Sequence, residues 1–296
     1  MKKLKTIGLW LALALVALGC GEEGGLKGTL KISITDAPID AGQIKAVNLT
    51  ITNVEGYQNG NWKAFKNFEQ PVGVNLLAYT GGKSILLIDQ FTSPGEYSSL
   101  RLTLNMANRN SSLIISPQSN VVFKNGTSAP ICMKEGAPPQ VVLEKAFGVY
   151  SRGITDITLD FDLRKSISLN SEGEYLLDPS IRFVKTNETG RIEASLLNAS
   201  ISGQVVAYVY KSGAFSDSEA NETGGGPPFY GAITSSRVGA TPFAFGFLEA
   251  GTYDLVFVKH NEDGKTLEIM GKLTGIKVTA GGQAEVEVDL EQLSPS

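Results

Sequence analysis

His260 is the only histidine in the chain, so any nucleophilic chemistry that needs an imidazole base must use it. It sits in Lys259-His260-Asn261-Glu262-Asp263-Gly264, which reads as a hairpin tip with no Ser or Cys motif attached. Of the two cysteines, Cys20 ends an apolar run and Cys132 lies in Pro130-Ile131-Cys132-Met133. A thiol in such a context is expected to act as a small hydrophobe. These counts rule out zinc sites built from His and Cys. No glycine-rich stretch has the strand–turn–helix setting of a phosphate loop, because Gly224–Gly226 runs into Pro227-Pro228.

Carboxylates are what remain. Asp36 and Asp40 fall in one loop, and Asp160 and Asp162 share one face of an alternating strand. Clustered Asp with backbone carbonyls in sandwich loops would suit calcium, which takes about 6–8 oxygen ligands. A plainer reading exists for the same residues: Asp36 before Ala37-Pro38 caps a turn through its own backbone. Asp160 and Asp162 then face water or pair with Lys or Arg on the next strand. A glycosidase pair would need two carboxyls about 5–9.5 Å apart in a sugar-sized cleft, a separation that spacing along the chain does not define. The expectation is a protein without catalysis, with a hydrolase using clustered carboxylates as the lesser alternative.

Location is carried by Met1–Cys20, MKKLKTIGLWLALALVALGC. Lys2, Lys3 and Lys5 give a basic start, Ile7–Leu18 is apolar apart from Gly8, and Ala17-Leu18-Gly19 lead into Cys20. This is the pattern of a secretory signal peptide ending in a lipoprotein box. The apolar run is shorter than the ~20 residues a spanning helix needs. Cleavage before Cys20 would make that cysteine the lipidated first residue of the mature chain, exported and tethered to the outer face of the cytoplasmic membrane or to an outer membrane. Cleavage as an ordinary signal peptide is the competing reading, since Ala17 and Gly19 are both small.

Removing the three signal-peptide lysines from 26 Lys+Arg leaves 23 against 30 Asp+Glu, a net charge of about −7. No basic face for a nucleic acid is visible. Once Cys20 is acylated, Cys132 has no partner for an intramolecular disulfide. Gly and Pro punctuate short alternating segments throughout, so the fold class expected is all-β, two tandem β-sandwiches of Ig-like or prealbumin-like type.

Residues 20–27 read as a glycine-rich tether, 28–185 as a first sandwich, 186–292 as a second and 293–296 as a tail. Thr29–Thr35 alternates with Leu30, Ile32 and Ile34 on one face. Ile44–Glu55 repeats the pattern with a slip near Asn53 that predicts a bulge. Asn59-Gly60 marks a hairpin turn, after which Trp62 is expected as a core anchor. Ile154–Leu163 places Ile157, Leu159, Phe161 and Leu163 on one face and Asp160 and Asp162 on the opposite, wet one.

Gly28-Thr29-Leu30 with Ile34-Thr35-Asp36-Ala37-Pro38, Val47–Ile51, Leu159–Leu163 with Arg164, Ser166 and Ile167, and Tyr175–Arg182 together resemble the lipoprotein family termed domain of unknown function 4382. The resemblance implies a β-sandwich-like domain on envelope lipoproteins and no activity or site residues. In the second half, a Phe243-Phe245-Phe247 strand runs through Leu248-Glu249-Ala250-Gly251-Thr252-Tyr253. That stretch resembles the carboxypeptidase-regulatory or transthyretin-like sandwich module, which implies a fold and little about function.

The sequence thus predicts a lipid-anchored envelope protein acting as a non-catalytic binding or structural module. Its expected partners are the membrane, through the lipid, and an envelope protein or glycan. A carbohydrate-binding or adhesive role would rest on Tyr57, Trp62, Phe229 and Tyr230, since sugar faces stack on exposed aromatic rings.

Overall fold

A computed structural model describes residues 26–37, 42–109, 118–197, 203–221, 227–239, 242–261 and 264–295. The fold is all-β, as the alternation implied, and among the described residues the helices are short turns between strands. Strand Gly28–Ala37 is central to a four-stranded sheet. It runs parallel to Ile154–Asp162 on one side and antiparallel to Ile85–Thr92 on the other, and Ile181–Lys185 closes the far edge. Facing it is an eight-stranded sheet built on Ile44–Gln58, which pairs with Asn61–Asn75, Ser99–Leu104 and Asn120–Phe123.

Period-two alternation explains how the two sheets meet. Leu30, Ile32, Ile34, Ile157 and Leu159 from the first sheet pack in one core with Val47, Leu49, Ile51, Leu100 and Leu102 from the second. Burying such side chains contributes about 1.5–3 kcal/mol each, which holds the layers together without a disulfide. The predicted slip is present: the register shifts between Ile51 and Asn53 against both neighbouring strands. Asn59 and Gly60, both at positive φ (52° and 79°), turn the hairpin that pairs Tyr57 with Trp62. Cys132 is buried within its strand, and burial pushes its thiol pKa up.

The second half has a three-stranded sheet, Phe243–Glu249, Thr189–Leu196 and Gln283–Val288, and a four-stranded one. The latter orders Thr234–Arg237, Gln204–Lys211, Gly251–His260 and Thr266–Val278. Ile192, Ala194, Phe243 and Phe245 meet Val205, Ala207, Leu255 and Phe257 between the sheets. The four-stranded sheet is covered on its other face as well, where Val206, Tyr208, Tyr210, Val256 and Val258 pack with Phe229 and Ala232. A strand buried on both faces reads as an unbroken apolar run, which is why Val205–Tyr210 shows no polar alternation.

Each half contains the same local device. Tyr97 donates its hydroxyl to the Ser93 carbonyl (2.9 Å) and Tyr253 to the Glu249 carbonyl (2.6 Å), four residues upstream in both cases. Both rings are buried, so each bond satisfies a phenol that would otherwise lack a partner in an apolar layer. Tyr97 stacks on Phe147 at 5.3 Å, whereas Tyr253 also accepts a hydrogen bond from Lys211 Nζ (2.8 Å).

Candidate functional site

Asp36, Asp160 and Asp162 come together at the carboxyl end of the parallel pair of strands. The register places Thr35 opposite Asp160 and Ala37 opposite Asp162. Asp160 and Asp162 do occupy the face opposite the core, but that face is not wet: both carboxylates are buried. The reason is tertiary. The second half of the chain lies over this end of the sheet, and alternation reports which side a residue takes without reporting what covers that side.

Three cations share the seam. Asp160 pairs with Arg182 on the adjacent antiparallel strand, the cross-strand partner its register requires. Asp162 pairs with Arg164 (3.2 Å) and Lys165 (3.0 Å), and its side chain accepts the Lys165 N–H to cap the short helix Leu163–Ser166. The cations then reach across the seam. Arg164 Nη1 donates to the carbonyls of Pro228 (2.8 Å) and Phe229 (2.7 Å), Lys165 Nζ to that of Ala232 (2.7 Å) and Arg182 Nη1 to that of Phe247 (3.2 Å). Asp160 and Asp162 thus each fix a cation that bonds the backbone of the other half.

Asp36 lies in strand Gly28–Ala37, and the turn after it is outside the described residues. Its Oδ1 accepts the backbone N–H of Leu163 (3.3 Å), while Oδ2 is buried without a hydrogen-bond partner. Burial pushes this carboxyl well above the usual carboxylate range, and the charges of Asp160 and Asp162 push it the same way against the Leu163 bond. Burial also raises Asp160 despite Arg182, and it lowers Lys165 despite Asp162. Backbone approaches closely here: a Cβ on Gly246 would stand 2.4 Å from Gly82 Cα. Phe247, whose carbonyl receives Arg182, sits at φ 55°, a conformation few non-glycine residues adopt.

Asp40 and Cys20 lie outside the described residues. Among the described residues no group of three or more His, Cys, Asp or Glu side chains is arranged to hold a metal ion. His260 is not at an exposed hairpin tip but buried at the end of its strand. Its Nδ1 lies 3.0 Å from the Gly264 carbonyl, which can only accept, so Nδ1 carries a proton and donates it there, and Nε2 lies 3.0 Å from the Tyr208 hydroxyl.

The aromatic residues also differ from expectation. Phe229 is buried and stacked on Tyr208 at 4.4 Å. Trp62 is no core anchor: it stands half-buried on the outer face of its sheet with the Arg101 guanidinium 4.1 Å above the ring. Tyr57 leans on Trp62 at 5.1 Å, and Tyr230 is exposed beside Lys165 Nζ. A separate cleft of about 510 Å³ lies where the halves meet, lined by Lys145, Arg182, Phe183, Lys211, Glu249 and Tyr253 among others. The seam itself encloses only about 10 Å³. Sequence reasoning singled out the acids but missed Arg164, Lys165 and Arg182. The available signal was Asp162-Leu163-Arg164-Lys165, charges of both signs interrupting an apolar strand.

Residues 27–179 match the family described as domain of unknown function (DUF4382). The chain belongs to this family. The DUF4382 region contains all three seam carboxylates and the cations Arg164 and Lys165, while Arg182 and the accepting carbonyls lie beyond it. No curated protein matches the chain. Among solved structures, it is similar to GBS52, the minor pilin of Streptococcus agalactiae, at 11% identity over 88% of this chain and 94% of that one, TM-score 0.20. It is likewise similar to BcpA, the major pilin subunit of Bacillus cereus, at 10% identity over 89% and 99%, TM-score 0.22. The Bacillus anthracis TIE protein aligns at 11% identity over 88% of this chain, TM-score 0.21, and this DUF4382 chain spans only 34% of its length.

Proposed function

We propose that this protein is a lipid-anchored envelope component, held at a membrane through Cys20, that presents a non-catalytic binding or structural surface. In this reading residues 28–185 and 186–292 are two sandwich units, the second of carboxypeptidase-regulatory-like type, and the seam makes them one body. The observation that carries the non-catalytic part is the use made of the buried and half-buried ionisable groups of the seam. Asp160, Asp162, Arg164, Lys165 and Arg182 are committed to pairs and to carbonyls across the seam, and His260 to fixed hydrogen bonds. Groups committed to such pairs and carbonyls serve to join the two halves, which supports a structural use for them.

The sequence of Met1–Cys20 supports the anchor, and no helix among the described residues is long and apolar enough to cross a membrane. Two measurements test the proposal. Mass spectrometry of the mature amino terminus should find acyl chains on Cys20, and Cys20→Ala should leave an unprocessed or freely soluble form. An unmodified terminus on a membrane-bound protein would overturn the anchor. Turnover of a glycoside or ester substrate that survives purification to homogeneity would overturn the non-catalytic reading.

A further inference from the structure

The end of the four-stranded sheet farthest from the ionic seam is open and apolar. Thr29 is directly opposite both Phe91 and Ile154, so the three side chains form one row on one face. Phe91 is 73% exposed and Ile154 66%, and Leu26 (51%) and Tyr150 (65%) stand exposed beside the start of the strand. The turn that brings them together is closely built. Arg152 adopts a left-handed conformation (φ 59°) and donates its N–H to the Lys27 carbonyl (3.0 Å). A Cβ on Gly28 would stand 2.3 Å from the Tyr150 carbonyl oxygen. Two exposed cations, Lys27 and Arg152, therefore flank the apolar row.

We propose that this end of the sheet docks onto the surface of the bilayer that carries the Cys20 acyl chains, which rests on the anchor reading above. The length of chain outside the structure argues for that occupant. Seven residue steps separate Cys20 from Lys27, and a fully extended chain of that length spans at most about 25 Å. The patch is thus held within reach of the headgroups, where tethering raises its effective concentration. Charge agrees. Lys27 and Arg152 lie on the side of the row nearest the tether, where an anionic surface attracts them, while the next row inward on the same face, Asp89, Lys31 and Asp156, carries a net negative charge that such a surface repels. Large apolar side chains beside Lys and Arg are the composition that settles at the boundary between headgroups and acyl chains.

The test uses the purified, processed full chain in vesicles of phosphatidylethanolamine with phosphatidylglycerol. Cys132 is buried and Cys20 is acylated, so Phe91→Cys and Ile154→Cys each give one reactive site for a nitroxide, with Leu169→Cys as the exposed control. Collision with dioxygen relative to a water-soluble nickel chelate should rise several-fold at 91 and 154 on vesicles and stay unchanged at 169. Replacing Lys27 and Arg152 with Ser should reduce that rise. Labels at 91 and 154 that remain as water-accessible as 169 while mass spectrometry shows an acylated terminus would overturn the docking and leave the anchor standing. Strong dipolar coupling between labels would overturn it in favour of a second copy. If the terminus proves unmodified, the anchor falls, and the same labels read on added vesicles still decide whether the face binds lipid.

Discussion

The two ends of the first sheet invert the usual partition of residues. Ile154 begins its strand 66% exposed, and Asp160, six residues later on the same face, is 4% exposed. At one end Phe91, Thr29 and Ile154 form an open apolar row. At the other, Asp160 and Asp162 are sealed with Arg164, Lys165 and Arg182 beneath the second half of the chain. Residue type therefore does not set burial along this strand. What lies over each end does. At the charged end Asp160 and Asp162 are paired with cations that also bond the carbonyls of the covering segment, the condition under which buried charge is tolerated, although Asp36 Oδ2, Arg164 Nε and Arg182 Nε are buried without a hydrogen-bond partner.

The largest test of that contrast is Asp162→Asn. The amide can still cap the Leu163–Ser166 turn, but Arg164 and Lys165 lose their counter-ion while remaining enclosed. Removing one member of a buried pair is destabilising by about 3–5 kcal/mol, and urea unfolding should show a loss of that order. A loss below about 1 kcal/mol, the usual worth of an exposed pair, would mean that the seam is hydrated and the two ends alike.

Gly246→Ala probes the closure of the same end without touching charge. Its new Cβ would meet Gly82 backbone at 2.4 Å, which cannot swing aside as a side-chain tip could. Overpacking of this kind costs about 1–3 kcal/mol. Gly73→Ala, where a Cβ meets nothing within 4 Å, is the matched control on a strand and should change the unfolding midpoint far less. Equal effects of the two substitutions would show that the halves do not press together at Gly82 and Gly246.

Asp36 gives the contrast a pH dependence. Its folded-state pKa is raised, so the folded chain holds this proton over a range where the unfolded chain has released it. The contribution is fully present below the unfolded value of about 4 and is lost as pH rises through the folded value. Asp160 is raised as well and contributes in the same direction, whereas the lowered Lys165 acts at the alkaline end. Asp36→Asn cannot ionise, so its melting temperature relative to the parent should climb as pH goes from about 4 to neutral. A difference that stays constant across that range would show that Asp36 is ionised and solvated.

Much of this architecture is legible in the chain. Alternation gave the inward faces of Thr29–Thr35 and Ile154–Leu163, the phase slip gave the bulge near Asn53, and Asn59-Gly60 gave its turn. These are local signals, each contained in a few neighbouring residues. The parallel pairing of Gly28–Ala37 with Ile154–Asp162 joins segments more than a hundred residues apart, and no local pattern encodes it. Asp160 pairs with Arg182 on the next strand, one of the two outcomes its alternation allows. The misplacements share that cause: the face of Asp160 and Asp162 is closed to water, His260 is no exposed tip and Phe229 no loop surface, and each is covered by a segment distant in sequence. Trp62 errs the other way, large and apolar yet left on an outer face because Arg101 rather than a second sheet lies over it.

The smallest expected effect lies at the open end. Phe91→Ser with Ile154→Thr removes two large apolar side chains, a change that in a core would cost several kcal/mol. Here both are mostly exposed, and their strands are held by backbone pairing to Gly28–Ala37 and by the opposite, buried face. Surface substitutions away from such packing stay within about 0.5 kcal/mol. The double variant should therefore unfold at nearly the parental urea concentration, with the same slope because the area exposed on unfolding hardly changes. A loss of 2 kcal/mol or more in the isolated, vesicle-free protein would show the row packed against another part of the chain, such as the tether. Near-neutrality instead means that folding does not require this row, so its apolar character answers to something outside the fold.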